Sequence, residues 1–346
     1  MVKRIIWADD LKLFASYLVI LGHVILFMGL DKSEVYTNPV YSYIYSFHMP
    51  LFMTLSGFFS NKILKYDFNL YKKSKKLLIP CVTLFCINVI FKIDTLNFWY
   101  LKSLLICYII YCLLFKILSY VDNKRHIYIY IYIYIYILFI ILCFIAFPLI
   151  SRIPYLSSYK IDFMLPYFGL GLLIYKYINY IDKYKGVFLV VFSILFCLCL
   201  LNWNECYIWY NSIPLWFDYK LLIFNHIFTF DPNSLLSYFI RLLTGLTGSI
   251  FFISLFWVLQ NKFSNNKLYF AKYGKYSLHI YIIQSYIVEI NVINMVLPVN
   301  NIFLYSYVYS PIYALLVIFI CVVLAQLLEL NKYINFFLFG KEIQRK

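Results

Sequence analysis

Charged side chains are scarce in this 346-residue chain: Asp, Glu, Lys and Arg together make up 13% of it. A water-soluble domain carries about 25% charged residues to cover its surface, so a solvated globule is excluded. Hydrophobic residues reach 64%, and the mean hydropathy is +0.80. The solvent for such a surface is lipid. A cleavable leader is also missing from the reading. Asp9, Asp10 and Lys12 interrupt the first apolar stretch and no small-residue cleavage site follows. No disulfide framework is indicated either, since eight of the nine cysteines lie within apolar runs and only Cys206 falls in a loop. Cys197 and Cys199 have no neighbouring His or carboxylate, so no metal site is expected.

What is present is a series of apolar runs. With about 20 residues per span, the chain has room for roughly ten helices. The runs are continuously apolar, which favours helices over a membrane barrel. The expected fold is an all-α integral membrane protein, a single domain over residues 1–346. Spans are expected at about 6–30, 41–61, 77–93, 97–118, 127–150, 161–178, 187–203, 236–259, 276–297 and 303–330. The stretch 204–235, rich in Trp, Tyr and Phe, reads as an interfacial loop.

The net charge of +15 does not point to nucleic acid, because the basic residues sit in short loops between spans. Placing the N-terminus inside puts 22 of the 30 Lys and Arg on the cytoplasmic side and 5 on the other, with Lys12, Lys102 and Arg241 inside spans. That bias predicts both termini in the cytoplasm and an even number of spans. Residues 127–137 alternate Ile and Tyr without a break. An isolated strand cannot cross a bilayer, so a helix is expected there. The same alternation can be written as a TA dinucleotide repeat prone to slippage, or as AT-rich coding drift; the codons distinguish the two.

Ionisable residues inside a span are costly and point to function. At 100° per residue, Asp9, Lys12, Ser16 and His23 fall on a stripe of the first helix about 60° wide, which should face the protein interior. His23 lies about 16 Å beyond Lys12 along the helix axis. His48 enters the second span from the other direction, and both histidines come to rest roughly 10 Å below the outer surface. Two histidines at one depth suggest a shared cavity. A neutral imidazole suits the removal of a proton from a hydroxyl as that hydroxyl attacks a thioester. Asp9 and Lys12 are too near the cytoplasmic end to touch His23. They order that end of a channel, with Lys12 near the anionic part of a donor.

Other positions are more ambiguous. Lys72, Lys73, Lys75 and Lys76 suit the phosphates of a nucleotide-bearing donor, and equally plain topogenic charge or attraction to anionic lipid. Arg241, ahead of Thr244-Gly245-Leu246-Thr247-Gly248, suits a carboxylate or phosphate partner, or a snorkelling role at the boundary. Glu289 is expected in the outer half of the ninth span, on the acceptor side. His126, His226 and His279 carry no functional signal.

These residues resemble a known family. Arg4-Ile-Ile-Trp-Ala-Asp9-Asp-Leu-Lys12-Leu-Phe-Ala15 through Gly22-His23 is similar to the opening motif of the membrane-bound acyltransferase 3 family, in its branch related to fucose 4-O-acetylase. Phe47-His48-Met49-Pro50-Leu51-Phe52 with Leu55-Ser56-Gly57-Phe58 resembles that family's second motif. Lys76 to Pro80, Phe98 to Leu101, Pro166 to Gly171 and Gly274 to Tyr281 resemble later landmarks.

The resemblance implies O-acylation, with acetyl-CoA as donor substrate and no bound cofactor. It implies a carbohydrate acceptor (surface polysaccharide, oligosaccharide or lipid-linked sugar) and a place in a bacterial cytoplasmic membrane. It implicates His23 in catalysis, to which the depth match adds His48 and the polar stripe Asp9. Arg4, Lys12, Lys72 and Lys76 fall to the donor, and Ser56, Arg241 and Glu289 to the acceptor or to structure. Two departures stand out. Lys12 replaces the Arg of many relatives, and Gln284 stands where relatives often have His. A flippase of lipid-linked sugar and a polysaccharide polymerase are the competing readings. A flippase should show repeated halves, and a polymerase basic outer loops; neither is found.

Overall fold

The computed structural model describes residues 5–65, 70–93, 98–121, 160–204, 217–222, 225–230, 232–262, 269–291, 296–299 and 301–341. The expected span at 127–150, with its Tyr-Ile alternation, lies outside them, as do Arg4, His126 and Cys206. The regular secondary structure of the described residues is helical apart from one short hairpin. In it Phe217–Leu222 pairs antiparallel with Asn225–Phe230, inside the stretch that reads as an interfacial loop.

The helices are α1 (Ile6–Phe27), α2 (Lys32–Thr37), α3 (Pro39–Phe58), α4 (Leu70–Ile90), α5 (Trp99–Val121), α6 (Ile161–Lys176) and α7 (Ile178–Leu201). After the hairpin come α8 (Pro232–Lys262), α9 (Ser277–Gln284), α10 (Ile302–Leu330) and α11 (Lys332–Phe339). Among the described residues five stretches are long and apolar enough to cross a membrane: Ile6–Phe27, Trp99–Lys116, Ile178–Leu201, Leu236–Gln260 and Ile302–Leu330. α7 starts nine residues ahead of the expected 187, and the extension carries a kink at Tyr184, with φ −112° and ψ 15°.

Burial separates inner from outer helices. In α1, 56% of the apolar window is buried, against 6% in α7. α1 is therefore a central helix, and α7 turns Val187, Val190, Ile194 and Leu198 outward, where lipid is their natural neighbour. α10 likewise exposes Ile312, Leu315, Phe319 and Leu327. This is a membrane protein.

Around α1 the packing relies on rings and glycines. Trp7 stacks on Trp257 of α8 at 4.9 Å, and Phe47 of α3 stacks on Phe252 at 4.4 Å. α3 and α6 touch through glycines on both sides. A Cβ at Gly57 would overlap the Phe168 carbonyl, and one at Gly171 the Thr54 carbonyl. Without a hydrophobic drive between helices in lipid, such close backbone approach supplies the packing energy. The far end of α1 is pinned as well. Tyr305 Oη donates to the Val24 carbonyl at 3.1 Å, and Leu297 N–H to the Met28 carbonyl at 2.8 Å. Gly29, with φ +147°, turns the chain out of the helix beside Leu297.

Candidate functional site

The polar stripe of α1 splits into two unlike parts. At the N-terminal end Lys12 Nζ lies 3.4 Å from Asp9 Oδ1 and 3.3 Å from the centre of the Phe59 ring. Ser16 Oγ donates to the Lys12 carbonyl at 2.9 Å. Asp9 and Ser16 are buried, as a stripe facing the interior requires. Gly274 lets the segment before α9 rest directly on the Asp9 backbone, where a Cβ would collide.

Three turns along, His23 meets a different set of partners. Its Nδ1 lies 3.0 Å from Gln284 Oε1 and 3.2 Å from Glu289 Oε1. Both are acceptors, so Nδ1 carries a proton, and Nε2 presents its lone pair when the ring is neutral. Gln284 Nε2 in turn reaches Ser285 Oγ at 3.0 Å, and Ser285 Oγ donates to Glu289 Oε1 at 2.6 Å. These bonds fix the amide of Gln284 with its oxygen toward the imidazole. His23 keeps 19% of its side-chain surface exposed, which leaves its remaining edge reachable.

The backbone explains how residues 284 and 289 converge. In an α-helix they would project about 140° apart. Instead Ser285–Glu289 forms a π-helical turn, closed by Ile290 N–H to the Ser285 carbonyl at 3.2 Å. A turn with i→i+5 bonds brings the fifth residue back beneath the first. Glu289, read from sequence as an acceptor-side residue, is thus a partner of His23, and Gln284 occupies the same imidazole edge. Sequence reasoning treated Gln284 only as a departure, because nothing in the residue pattern announces a π turn.

His48 comes to the same region on α3. That helix starts cleanly: Asn38 Oδ1 accepts from the N–H groups of Val40 and Tyr41, with Pro39 at its first position. His48 Nδ1 donates to the Ile44 carbonyl at 2.8 Å, so its Nε2 is also an acceptor when the ring is neutral. Tyr45 links the two histidines. It lies where a Cβ on Gly22 would be 2.8 Å away, and its ring is 4.7 Å from that of His48.

The other sequence candidates fall apart from this cluster or beside it. Ser56 Oγ is 2.9 Å from Tyr100 Oη, about two turns from His48. Arg241 is buried on α8, against the rings of Phe163 and Trp203. Lys76 is exposed on α4, and its carbonyl meets Gly340 after α11. The side chain of Lys72 lies outside the described residues. A large apolar cavity of about 1020 Å³, lined by Asp10, Phe14, Phe256, Tyr273 and Phe319, contains neither histidine. Among the described residues no group of three His, Cys, Asp or Glu is placed to hold a metal ion.

A sequence profile described as "Acyltransferase domain" matches residues 5–330, nearly the whole chain. Nodulation protein NolL of Mesorhizobium japonicum is 26% identical over 228 residues, which are 58% of this chain and 57% of that protein. The match thus spans less than two thirds of that relative's length. No solved structure matches the chain.

Proposed function

The chain belongs to the acyltransferase domain family, and on that premise we propose that it is an O-acetyltransferase with His23 as general base. The donor is cytoplasmic acetyl-CoA, and the acceptor is a hydroxyl of a surface polysaccharide or lipid-linked sugar. The observation that carries this reading is the clamp on His23 Nδ1 by Glu289 and Gln284, which puts a proton on Nδ1 and, in the neutral ring, makes Nε2 the acceptor.

The chemistry follows from that clamp. The acceptor hydroxyl gives its proton to His23 Nε2 as its oxygen bonds to the thioester carbonyl carbon. The carbon–sulfur bond then breaks, the CoA thiolate leaves, and the imidazolium returns the proton to it. Glu289 stabilises the transient imidazolium and holds the ring in its tautomer, as a carboxylate does for a histidine base in hydrolases. His48, level with His23 on α3, is the second imidazole facing the acceptor. Lys12, held by Asp9, takes the anionic portion of the donor from the cytoplasmic side, with Arg4, Lys72 and Lys76 nearer its phosphates. The chain lies in a bacterial cytoplasmic membrane with both ends inside, in keeping with the 22 to 5 bias of its Lys and Arg.

Membrane vesicles given labelled acetyl-CoA and cell-surface glycan test the proposal. Wild type should transfer label, and His23→Ala, present at normal levels, should not. Full transfer by His23→Ala would remove His23 as the base.

A further inference from the structure

Arg241 poses a problem that the proposed reaction does not solve. Its guanidinium is buried, with 7% of the residue exposed. Among the described residues Nε and Nη1 have no hydrogen-bond partner and no carboxylate pairs with it. Its Cζ instead faces two rings, 4.9 Å from Phe163 and 5.8 Å from Trp203. Aromatic faces offset part of the lost hydration of a cation. They supply no oxygen for its five N–H donors. A charge withdrawn from water and left unpaired is strongly unfavourable, so the arrangement calls for an anion.

The surroundings place that anion beside the histidines. One turn after Arg241, Gly245 abuts Pro50 of α3 and Tyr167 of α6, whose Oη donates to the Leu242 carbonyl at 3.2 Å. Arg241 therefore stands one turn from the junction of α3, α6 and α8. His48 precedes Pro50 by two residues on α3. His48 lies within electrostatic reach of Arg241, Lys160 and His23. Lys160, with φ 49°, leads into α6 and holds its Nζ 4.7 Å from the Trp99 ring. Two cationic groups, Arg241 and Lys160, thus act on one imidazole. Glu289 is taken up by His23, Ser285 and Gln284.

We infer that Arg241 anchors a subsite for an oxyanion on the acceptor, next to His48, so that the acceptor is an acidic glycan rather than a neutral one. This inference rests on the acyltransfer reading for its word "acceptor". Two chemistries supply such a group: the carboxylate of an acidic sugar and the phosphate of a sugar phosphate or lipid-linked sugar. Both satisfy a buried guanidinium through charge-assisted hydrogen bonds.

The test uses the full chain in phosphatidylcholine nanodiscs, reading the thermal-unfolding midpoint at constant ionic strength. The probes are glucuronate, glucose 1-phosphate, inorganic phosphate and glucose. Glucuronate, glucose 1-phosphate or both should raise the midpoint, and glucose should not. A response to glucuronate alone assigns the carboxylate, and one to glucose 1-phosphate alone assigns the phosphate. Arg241→Gln should weaken the response roughly tenfold or more. Arg241→Lys, which keeps the charge but loses the planar fork, should weaken it several-fold and serves if the Gln variant does not fold. The inference is overturned if neither sugar anion acts, if only inorganic phosphate acts, or if the response survives both substitutions. His23→Gln separates the two claims. It should lower acetyl transfer by about 10²-fold or more and leave the anion response intact. An intact response with transfer unaffected by His23→Gln would instead sink the catalytic reading alone.

Discussion

Two histidines in this protein, one half-buried and one buried, lie near a glutamate, and they are built in opposite ways. His23 has one ring nitrogen clamped by Glu289 and Gln284 at 3.2 and 3.0 Å, with its other edge open. His279 has Glu329 Oε1 at 3.8 Å and neither ring nitrogen in a hydrogen bond of good geometry among the described residues. Its ring lies 3.8 Å from that of Phe339 in α11. Glu329 is engaged elsewhere, accepting from Tyr276 Oη at 3.0 Å and pairing with Lys341 and Lys275. The Glu329 cluster ties α10 to α11 and to the turn before α9. The comparison shows that burial beside a carboxylate does not make a base. An oriented tautomer and a free edge do.

The comparison can be broken most sharply at the two histidines. His23→Gln should lower acetyl transfer by about 10²–10⁴-fold, the usual contribution of a general base. The labelled acetyl-CoA assay measures it, and a loss under tenfold would mean that His23 only shapes the site. The two glutamates come next. Glu289→Gln should cost about 10- to 100-fold in kcat with KM little changed, since the carboxylate acts on the imidazolium formed during transfer. Glu329→Gln should instead lower the thermal midpoint and leave the activity of folded protein within about twofold. Equal losses in kcat from both would erase the distinction.

Smaller effects sharpen the picture. Gln284→Ala should reduce kcat several-fold, because Glu289 remains on the same nitrogen, and Gln284→Glu should retain more activity than Ala. His279→Phe should leave kcat unchanged, filling the same space against Phe339. A large loss of kcat in stable His279→Phe protein would assign His279 a role that its geometry does not suggest.

Much of this was legible in the residues themselves. The lack of charge and the long apolar runs require a lipid-embedded helical protein, because helices satisfy their own backbone groups where water is absent. The spacing of Asp9, Lys12, Ser16 and His23 puts them on one face, and that face is where the helix meets its neighbours. The motif residues from Asp9 to His23 and from Phe47 to Phe58 carried the family resemblance, which the profile match over residues 5–330 bears out. The long reach of α7 past its expected start was harder to see, because Tyr180, Asp182, Lys183 and Lys185 read as a polar loop while still continuing a kinked helix.

The partners of His23 were decided only by the tertiary structure. Sequence spacing assumes one helical period, and residues 284 and 289 do not share a face at that period. A π turn, held in place where this segment packs on α1, changes the period locally and brings both side chains to one nitrogen. The isolation of Arg241 is of the same kind. A sequence names a cation in an apolar run, but whether a carboxylate awaits it depends on which helices meet at Gly245. Composition and period thus set the environment and the face of His23. The packing of α9 and its π turn against α1 sets what it touches.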